Sequence, residues 1–305
     1  MGKYIIKRVS AALVTLFLVA TITFFLMYLV PGGPFLSEKA PSPATLAALE
    51  EKYGLNQPVP VQYKNYMLRL LQGDLGTSLK QRGREVNDII ATGFPVSARV
   101  GGMAIGIAVL VGVPLGAIAA LKRGSWVDST IIVVATCGIA VPSFVVTTVL
   151  MIVFGVQLKI LPTMGLTSPL HYILPVAALA FYPTAYISRL MRSSMLDVLG
   201  QDYMRTAKAK GLSQFVALFK HALRNAVLPV VTYLGPLLAY TMTGSFVVEK
   251  ILTIPGLGSE FISSITARDY PLIMGTTIFL AFLLITMNVI VDIVYKLIDP
   301  RIQLK

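Results

Sequence analysis

The residues that most often carry enzymatic or metal chemistry are scarce in this sequence. It has a single cysteine, Cys137, within an apolar run, and its two histidines, His171 and His221, lie far apart. A zinc site needs several such ligands at short spacing, so we expect no metal site in this chain. His-Glu-x-x-His, Gly-x-Gly-Asp and Gly-x-Ser-Gly patterns are absent, so an intramembrane hydrolase is not expected and no catalytic residue is predicted.

The sequence also lacks the glycine-rich phosphate loop Gly-x-x-x-x-Gly-Lys-Ser/Thr. The backbone amides of that loop cradle the phosphates of ATP, and its lysine reaches the terminal phosphates. We therefore predict that this chain holds no cofactor of its own. If its activity depends on ATP, another chain must hydrolyse the ATP.

Positive charge is concentrated in one polar segment of the sequence, residues 189–225. Seven basic and two acidic residues lie there. Strong helix formers run from Asp202 to Lys210 and stop at Gly211, a residue type that readily takes the left-handed conformation that ends a helix. A second helical pattern follows, with Ser213 as its candidate N-cap. Two short helices joined at a glycine predict a docking site for another protein, and attraction of the cations to anionic lipid headgroups is the alternative.

The elements that must hold this segment are apolar. Hydrophobic residues make up 55% of the 305 residues, charged residues 13%, and the mean hydropathy is +0.76, which excludes a disordered chain and an ordinary soluble domain. A helix needs about 20 apolar residues to cross the hydrocarbon core of a bilayer. Six runs qualify: Val9–Val30, Val100–Leu121, Thr130–Leu158, Ile160–Ser188, Asn225–Val248 and Tyr270–Val291. The predicted fold is an all-α membrane protein with six transmembrane helices.

The net charge of +12 is distributed unevenly over the segments between these spans. If the N-terminus is cytoplasmic, the inner segments hold 15 of the 26 basic residues and five of the 14 acidic residues. Lys and Arg accumulate on the cytoplasmic side of membrane proteins, so both termini are predicted to be cytoplasmic. Because too few polar residues are present for a soluble basic protein, the lipid bilayer is the expected partner of this charge and nucleic acid is not.

Three regions follow from this topology. Residues 1–30 are the cytoplasmic N-terminus and first transmembrane helix, residues 31–98 form an extracytoplasmic segment, and residues 99–305 are a five-helix core that contains the docking segment 189–225. Within residues 31–98 the pattern predicts two short helices, Ala44–Tyr53 and Val61–Leu71, in a small cap. We expect this cap to act in docking or gating at the outer mouth.

Ionisable residues inside membrane spans usually mark an ion or proton route. The six predicted spans contain almost none. A stand-alone ion-coupled carrier or channel is therefore disfavoured, and it stays open as the alternative from another functional class.

Several motifs resemble one family of transport proteins. Inner-membrane subunits of bacterial ABC importers bind their ATPases through a loop with the pattern Glu-Ala-Ala, three residues, Gly, nine residues, Ile, one residue, Leu-Pro. In this sequence Ala207, Gly211 and Leu223 match that pattern. The stretches Arg205–Leu212 and Lys220–Pro229 look like the variant of this loop in importers of oligopeptides, dipeptides and nickel. Further stretches resemble the same family, and most closely the first permease subunit of the oligopeptide system: Pro31–Phe35, Gly73–Gly76, Phe94–Ser97, Val141–Phe144, Ile254–Gly258 and Arg268–Tyr270.

The resemblance implies a permease subunit that forms half of a translocation path in the plasma membrane of a bacterium. Its implied partners are a second homologous permease, two ATPase subunits that bind ATP and Mg²⁺, and an extracytoplasmic peptide-binding protein. The implied ATPase-coupling loop comprises Asp202, Tyr203, Arg205, Thr206, Ala207, Lys208, Lys210, Gly211, Leu212, His221, Leu223 and Arg224. In this loop Ala207 would allow close approach, Gly211 would make the turn, and Arg205 would seek an acidic ATPase residue.

The cargo is the less defined part of this resemblance. Peptide is the predicted cargo, and a nickel chelate or glutathione is the alternative, because importers of those compounds share the same permease motifs. The sequence identifies no substrate-binding residues.

Overall fold

A computed structural model describes residues 2–35, 42–211, 218, 222–242 and 244–298 of the protein. Its α-helices are α1 (Gly2–Leu29), α2 (Pro43–Lys52), α3 (Val59–Leu71), α4 (Val86–Leu121), α5 (Trp126–Ala140), α6 (Ser143–Leu150), α7 (Ile173–Leu199), α8 (Asp202–Ala209), α9 (Leu223–Ala226), α10 (Leu228–Met242), α11 (Phe246–Ile251), α12 (Leu257–Ala267) and α13 (Tyr270–Ile298). A π-helix, Met151–Gln157, continues α6, and a 3₁₀ turn, Pro169–Tyr172, precedes α7. The described residues form no β-strand, and the predicted all-α fold is confirmed.

Within the described part of the chain, five helical stretches are long and apolar enough to cross a bilayer. They are Arg8–Leu29, Val86–Leu121, Pro169–Leu199, Leu223–Ile251 and Tyr270–Ile290. Trp126–Ala140 and Ser143–Gln157 meet at an angle of 102° and make a sixth crossing if they count as one bent span. The predicted multi-pass membrane fold is confirmed, with five or six spans. The cytoplasmic location of the termini and the cap stay predictions.

Two predicted spans are broken. The third bends between α5 and α6 at Val141-Pro142, because proline lacks the amide N–H that a continuous helix needs. The fifth is interrupted between α10 and α11, where Gly244 has a φ of 101°, a left-handed conformation that glycine takes at little cost. Each of these two predicted spans is therefore divided between two α-helices.

Two other spans have different bounds from those predicted. The second is α4, Val86–Leu121, which begins well before the predicted Val100 because the helix continues through polar residues of its first turns. The fourth spans Pro169–Leu199 and is displaced along the chain from the predicted Ile160–Ser188. The first part of the polar segment 189–225 is therefore the end of α7 and not a loop.

The helix α7 lies at the centre of the bundle, where it packs against α4, α5, α6 and α10. Two glycines of α4 allow the closest of these contacts. A Cβ atom at Gly112 would lie 2.9 Å from the Ile187 side chain, and one at Gly116 would lie 2.6 Å from that of Met191. Small residues at a helix contact let two membrane helices approach closely, so α4 and α7 form one tightly packed pair.

The first helix lies at the edge of the bundle against α13. Its exposed face is hydrophobic, with Leu13, Phe17, Leu18 and Ile22 among the exposed side chains. An aliphatic and aromatic face on a long apolar helix is typical of a surface that contacts lipid tails.

Aromatic contacts attach the outer segment to α1. The ring of Phe24 stacks on that of Tyr66 of α3 with a centroid distance of 5.4 Å, and the Tyr63 hydroxyl lies 2.8 Å from Thr21 Oγ1. Burial raises the pKa of the Tyr66 hydroxyl above its usual range. The observed α2 and α3 coincide with the two short helices predicted in this segment, Ala44–Tyr53 and Val61–Leu71, to within two residues.

Candidate functional site

The segment that the sequence singles out for docking contains α8, and one methionine anchors this helix. Met204 is 1% exposed and lies in a hydrophobic cluster with Met191 and Met195 of α7. Burying a methionine side chain contributes roughly 1.5–3 kcal/mol, so α8 is held against α7 along one side. The side chains of Tyr203 and Thr206, on the rest of α8, are exposed.

Two further features fix the ends of α8. Asn225 Nδ2 donates a hydrogen bond to the Tyr203 hydroxyl at 2.9 Å and so connects the start of α8 to α9. After the last turn, Gly211 has a φ of 75°, and no atom lies within 4 Å of the place that its Cβ would take. The helix that was predicted to end at this glycine, and the turn there, are confirmed.

The other predicted residues of the coupling loop have the following places. Arg205, Thr206, Ala207 and Lys208 lie on α8, Lys210 and Gly211 follow it, and Leu223 and Arg224 lie on α9. Leu223 is half-buried against the Met191 cluster, and Arg224 is exposed. Leu212, His221 and Ser213, together with most of the helix predicted after it, lie outside the described residues. The role of these residues in ATPase coupling stays a prediction.

A buried ion pair lies at the same end of the bundle as α8. Arg192 Nε is 2.6 Å from Asp128 Oδ1, and Arg192 Nη2 is 2.7 Å from Asp128 Oδ2. The Asp128 carboxylate also accepts the backbone N–H of Gly124 at 3.0 Å. The Asp128 side chain is 6% exposed and that of Arg192 26%. A bidentate pair of this kind is strong and fixes the relative geometry of its two partners.

This ion pair and the methionine cluster use neighbouring residues of α7. Met191 and Met195 pack against Met204 of α8. Arg192 follows Met191 in the chain and forms the ion pair with Asp128 in the first turn of α5. The end of α7 is therefore attached to two elements at once. We refer to these three helices as the α5–α7–α8 unit.

At the opposite end of the bundle, a buried carboxylate joins three segments. Glu249 of α11 is 1% exposed; its Oε1 accepts the Ser97 hydroxyl at 2.7 Å, and its Oε2 accepts the Ser259 N–H at 3.0 Å. Ser97 Oγ, on α4, accepts the Leu257 N–H at 2.9 Å. Leu257 and Ser259 belong to the first turn of α12, where backbone N–H groups and the helix dipole stabilise a negative charge. Among the described residues, no Lys or Arg pairs with Glu249.

Small residues bring α4 close to these segments. Gly93, Ser97 and Gly101 recur every four residues and form one stripe along α4. A Cβ atom at Gly93 would lie 3.1 Å from the Leu257 nitrogen, and one at Gly101 would clash with the Thr241 carbonyl. At its two glycines the stripe therefore has room for backbone only, and it joins α4 to the end of α10 and the start of α12.

A second buried carboxylate holds the outer segment. Asp269, between α12 and α13, is 1% exposed and accepts hydrogen bonds from the Ser78 hydroxyl and from the Leu79 N–H, the latter at 3.1 Å. Nearby, Gln81 Nε2 donates to Glu260 Oε2 at 2.8 Å. These contacts attach the turn that precedes α4 to the junction of α12 and α13.

Four of these charged residues were not identified by sequence reasoning. Asp128, Arg192, Glu249 and Asp269 are each bonded to a group far away in the chain, and no local spacing indicates such partners. The predicted spans were read between charged residues, so charged residues that belong to the ends of the observed helices fell outside them. Asp128 and Glu249 lie just outside the predicted bounds and inside the observed helices.

Comparisons with known proteins cover the full length of the chain. Residues 112–304 match the family described as binding-protein-dependent transport system inner membrane component, and residues 1–98 match the model of its N-terminal part. A dipeptide transport system permease protein of Bacillus subtilis (strain 168) is 49% identical over 304 residues, which is 100% of this chain and 99% of the relative. An oligopeptide transport system permease protein of Haemophilus influenzae is 45% identical over 305 residues, which is 99% of this chain and 100% of the relative.

A solved structure is more distant. The crystal structure of an amino acid ABC transporter with histidines overlaps 71% of this chain and 95% of its own, with a TM-score of 0.46 and 19% sequence identity. The family match and the full-length relatives establish the family without it. The chain belongs to the inner-membrane components of binding-protein-dependent transport systems.

Proposed function

We propose that the chain is a permease subunit of an ATP-driven peptide importer. The observation that carries this proposal is its full-length similarity to permease proteins of dipeptide and oligopeptide transport systems. In this function the chain forms half of the translocation path and hydrolyses nothing itself. A stand-alone ion-coupled carrier fits less well, because members of the family are described as dependent on a binding protein.

The two ends of the bundle would serve different partners. The α8 end, which the charge distribution assigns to the cytoplasm, would receive the ATPase subunits that bind ATP and Mg²⁺. The opposite end, with the outer segment and the buried carboxylates Glu249 and Asp269, would face the peptide-loaded binding protein. A second homologous permease would complete the path beside this chain.

The contacts of α8 suggest how ATP binding would act on the membrane helices. When the ATPase subunits close, the α8 helix docked on them would move with them. Because Met204 is buried against Met191 and Met195, α7 would follow α8. The Arg192–Asp128 ion pair would pass the same displacement to α5. The α5–α7–α8 unit would thus act as the moving part at the cytoplasmic end.

The displacement would reach the outer end through α4. This helix packs on α7 at Gly112 and Gly116, and at its other end Ser97 bonds to Glu249. Movement of α7 would therefore shift α4 together with α11 and α12, and change access to the path from inside to outside. ATP hydrolysis would restore the inward-facing arrangement.

A glycine substitution tests the docking of the ATPase. Gly211→Val forces a β-branched residue into a left-handed turn at a cost of about 1–2 kcal/mol. We expect the variant complex to retain less ATPase on purification and to take up less peptide per ATP hydrolysed. Gly83→Val is the matched control, since Gly83 has the same φ of 75° and equally open surroundings in the outer segment. It should retain the ATPase fully. Unchanged peptide uptake by Gly211→Val would refute the coupling assignment.

The cargo is tested on the binding protein that functions with this chain. Mass spectrometry of the ligand released from the purified binding protein should detect peptides. Recovery of a nickel chelate or of glutathione in their place would overturn the peptide assignment and leave the permease assignment intact.

A further inference from the structure

The central helix α7 exposes one narrow stripe of side chains. In its most apolar stretch, 44% of the residues are buried inside the protein, the largest share among the five spans. Between Ala177 and Asp197 the exposed residues are Ala177, Phe181, Tyr182, Arg189, Ser193 and Asp197. From Tyr182 onward no exposed residue of this stripe is aliphatic, although the helix crosses the membrane.

The neighbouring helix α10 has an exposed stripe of the same character. Its exposed residues are Pro229, Thr232, Pro236 and Tyr240, which are three or four positions apart and so lie on one face. Leucine and valine, which make up much of α10, are absent from that face. From Tyr182 onward on α7 and along α10, the exposed side chains of these two adjacent spans therefore include no leucine, valine or isoleucine.

Tyrosine contacts join the two stripes into one surface. The rings of Tyr186 of α7 and Tyr233 of α10 lie 4.4 Å apart between centroids, and those of Tyr182 and Tyr186 lie 6.2 Å apart. Tyr182 is 41% exposed, and Tyr186 and Tyr233 are half-buried beside it. We refer to Tyr182, Tyr186 and Tyr233 as the tyrosine seam.

The depth of the seam excludes the usual role of tyrosine in membrane proteins. Tyrosines commonly anchor a helix at the membrane–water interface. At a rise of about 1.5 Å per residue, however, Tyr182 and Tyr186 lie within roughly one helical turn of the midpoint of Pro169–Leu199. They are therefore near the middle of the bilayer, where an interfacial anchor has no function.

The contrast with α1 shows what the seam faces. The exposed side chains Leu13, Phe17 and Ile22 suit lipid tails. A hydroxyl transferred from water to hydrocarbon without a hydrogen-bond partner costs roughly 2–7 kcal/mol, and polar groups inside a membrane protein face its interior or a water-filled cavity. Three such hydroxyls on one exposed surface therefore indicate water and polar groups opposite them.

We propose that the tyrosine seam lines the translocation path and contacts the peptide as it passes. This proposal rests on the proposed function. Phenol hydroxyls can donate to and accept from the peptide backbone, and the ring faces can contact apolar side chains, so the surface would tolerate many peptide sequences. Arg189, about one turn further along α7, lies on the same stripe and would attract the peptide carboxylate.

Cysteine accessibility in the assembled transporter tests the seam. Cys137, the one cysteine of the chain, is first replaced by alanine. Tyr186→Cys and Thr232→Cys are then introduced singly, with Phe17→Cys on the exposed face of α1 as the control. A charged thiol reagent that does not enter lipid should modify Tyr186→Cys, in the seam, and Thr232→Cys, on the exposed stripe of α10, at least about tenfold faster than the control, because an ion is strongly excluded from hydrocarbon. Peptide-loaded binding protein with ATP should slow the reaction at Tyr186→Cys.

The outcomes separate this inference from the proposed function. Peptide uptake by the Cys137→Ala parent is measured in parallel. If the parent takes up no peptide, the proposed function fails, while the thiol reactivity still decides whether the seam meets water. If uptake is normal but Tyr186→Cys reacts no faster than Phe17→Cys, the seam faces lipid or the second permease and the inference is overturned. Reactivity that peptide does not slow would also contradict contact with the cargo.

Discussion

Separating Asp128 from Arg192 should both destabilise the chain and weaken its coupling to ATP. Asp128→Asn and Arg192→Met each remove one charge of the pair, and the double variant removes both. Because the pair is bidentate and Asp128 is nearly fully buried, each single variant leaves a charged group without its partner. The double variant leaves no unpaired charge.

The size of the effect follows from the burial of each partner. Removing one member of a buried ion pair costs about 3–5 kcal/mol. Asp128→Asn should cost less, about 2–3 kcal/mol, because Arg192 is 26% exposed and keeps some contact with solvent. Arg192→Met should cost about 3 kcal/mol, since the Asp128 carboxylate keeps only the Gly124 N–H. The double variant should cost less than the sum of the two by at least about 1.5 kcal/mol.

Thermal unfolding of the purified complex measures these differences. At roughly 2–4 °C per kcal/mol, each single variant should lower the Tm by about 5–10 °C, and the double variant by less than the two shifts added. Lys122→Met is the charge-matched control, because Lys122 is exposed in the loop between α4 and α5, and its Tm should stay unchanged. Peptide uptake per ATP should fall in both single variants.

Additivity would refute this account of the pair. If the Tm shifts of Asp128→Asn and Arg192→Met simply add in the double variant, the two residues do not interact in the assembled protein. If the single variants lower the Tm as predicted but uptake per ATP is unchanged, the pair is structural only, and its place in the moving α5–α7–α8 unit is wrong.

Two further substitutions test the packing with matched controls. Gly101→Ala should destabilise the chain by about 1–3 kcal/mol, because its Cβ atom would clash with the Thr241 carbonyl. Gly102→Ala is the control: no atom lies within 4 Å of its Cβ position, so it should be neutral or stabilising by up to about 1 kcal/mol. Equal Tm values for the two variants would contradict the close approach at Gly101. Met204→Ala should weaken the packing of α8 by about 2–5 kcal/mol and reduce the amount of ATPase that the purified complex retains. Met103→Ala is the control, at a site 43% exposed, and it should retain the ATPase. Full retention by both variants would show that Met204 does not anchor α8.

The sequence predicted the elements of the fold better than their ends. Each membrane-spanning helix among the described residues overlaps one of the predicted apolar runs, since burial in lipid requires continuous hydrophobicity. The bounds were less accurate where a helix continues past a charged residue, as α4 does at Arg99 and α7 at Arg189. The bend at Val141-Pro142 had a visible signal in its proline, but a proline inside an apolar run is equally compatible with a kinked, unbroken span.

The candidate site was predictable only in its local part. The glycine turn at Gly211 follows from residue types within one short stretch. The Asp128–Arg192 pair and the Ser97–Glu249 bond join residues 64 and 152 positions apart, and which acid meets which base depends on how the helices pack. The tyrosine seam was equally invisible, because exposure is a property of the assembled bundle and not of the residue.

The central claim, that this chain conducts peptide on behalf of a separate ATPase, is tested most directly in reconstituted vesicles. Uptake of a labelled peptide is measured with the binding protein outside the vesicle and ATP at the α8 side of the complex, and again with this chain alone under an imposed ion gradient. The account predicts accumulation that requires ATP, the ATPase subunits and this chain together. Peptide accumulation by this chain alone, driven by the gradient without ATP, would contradict it.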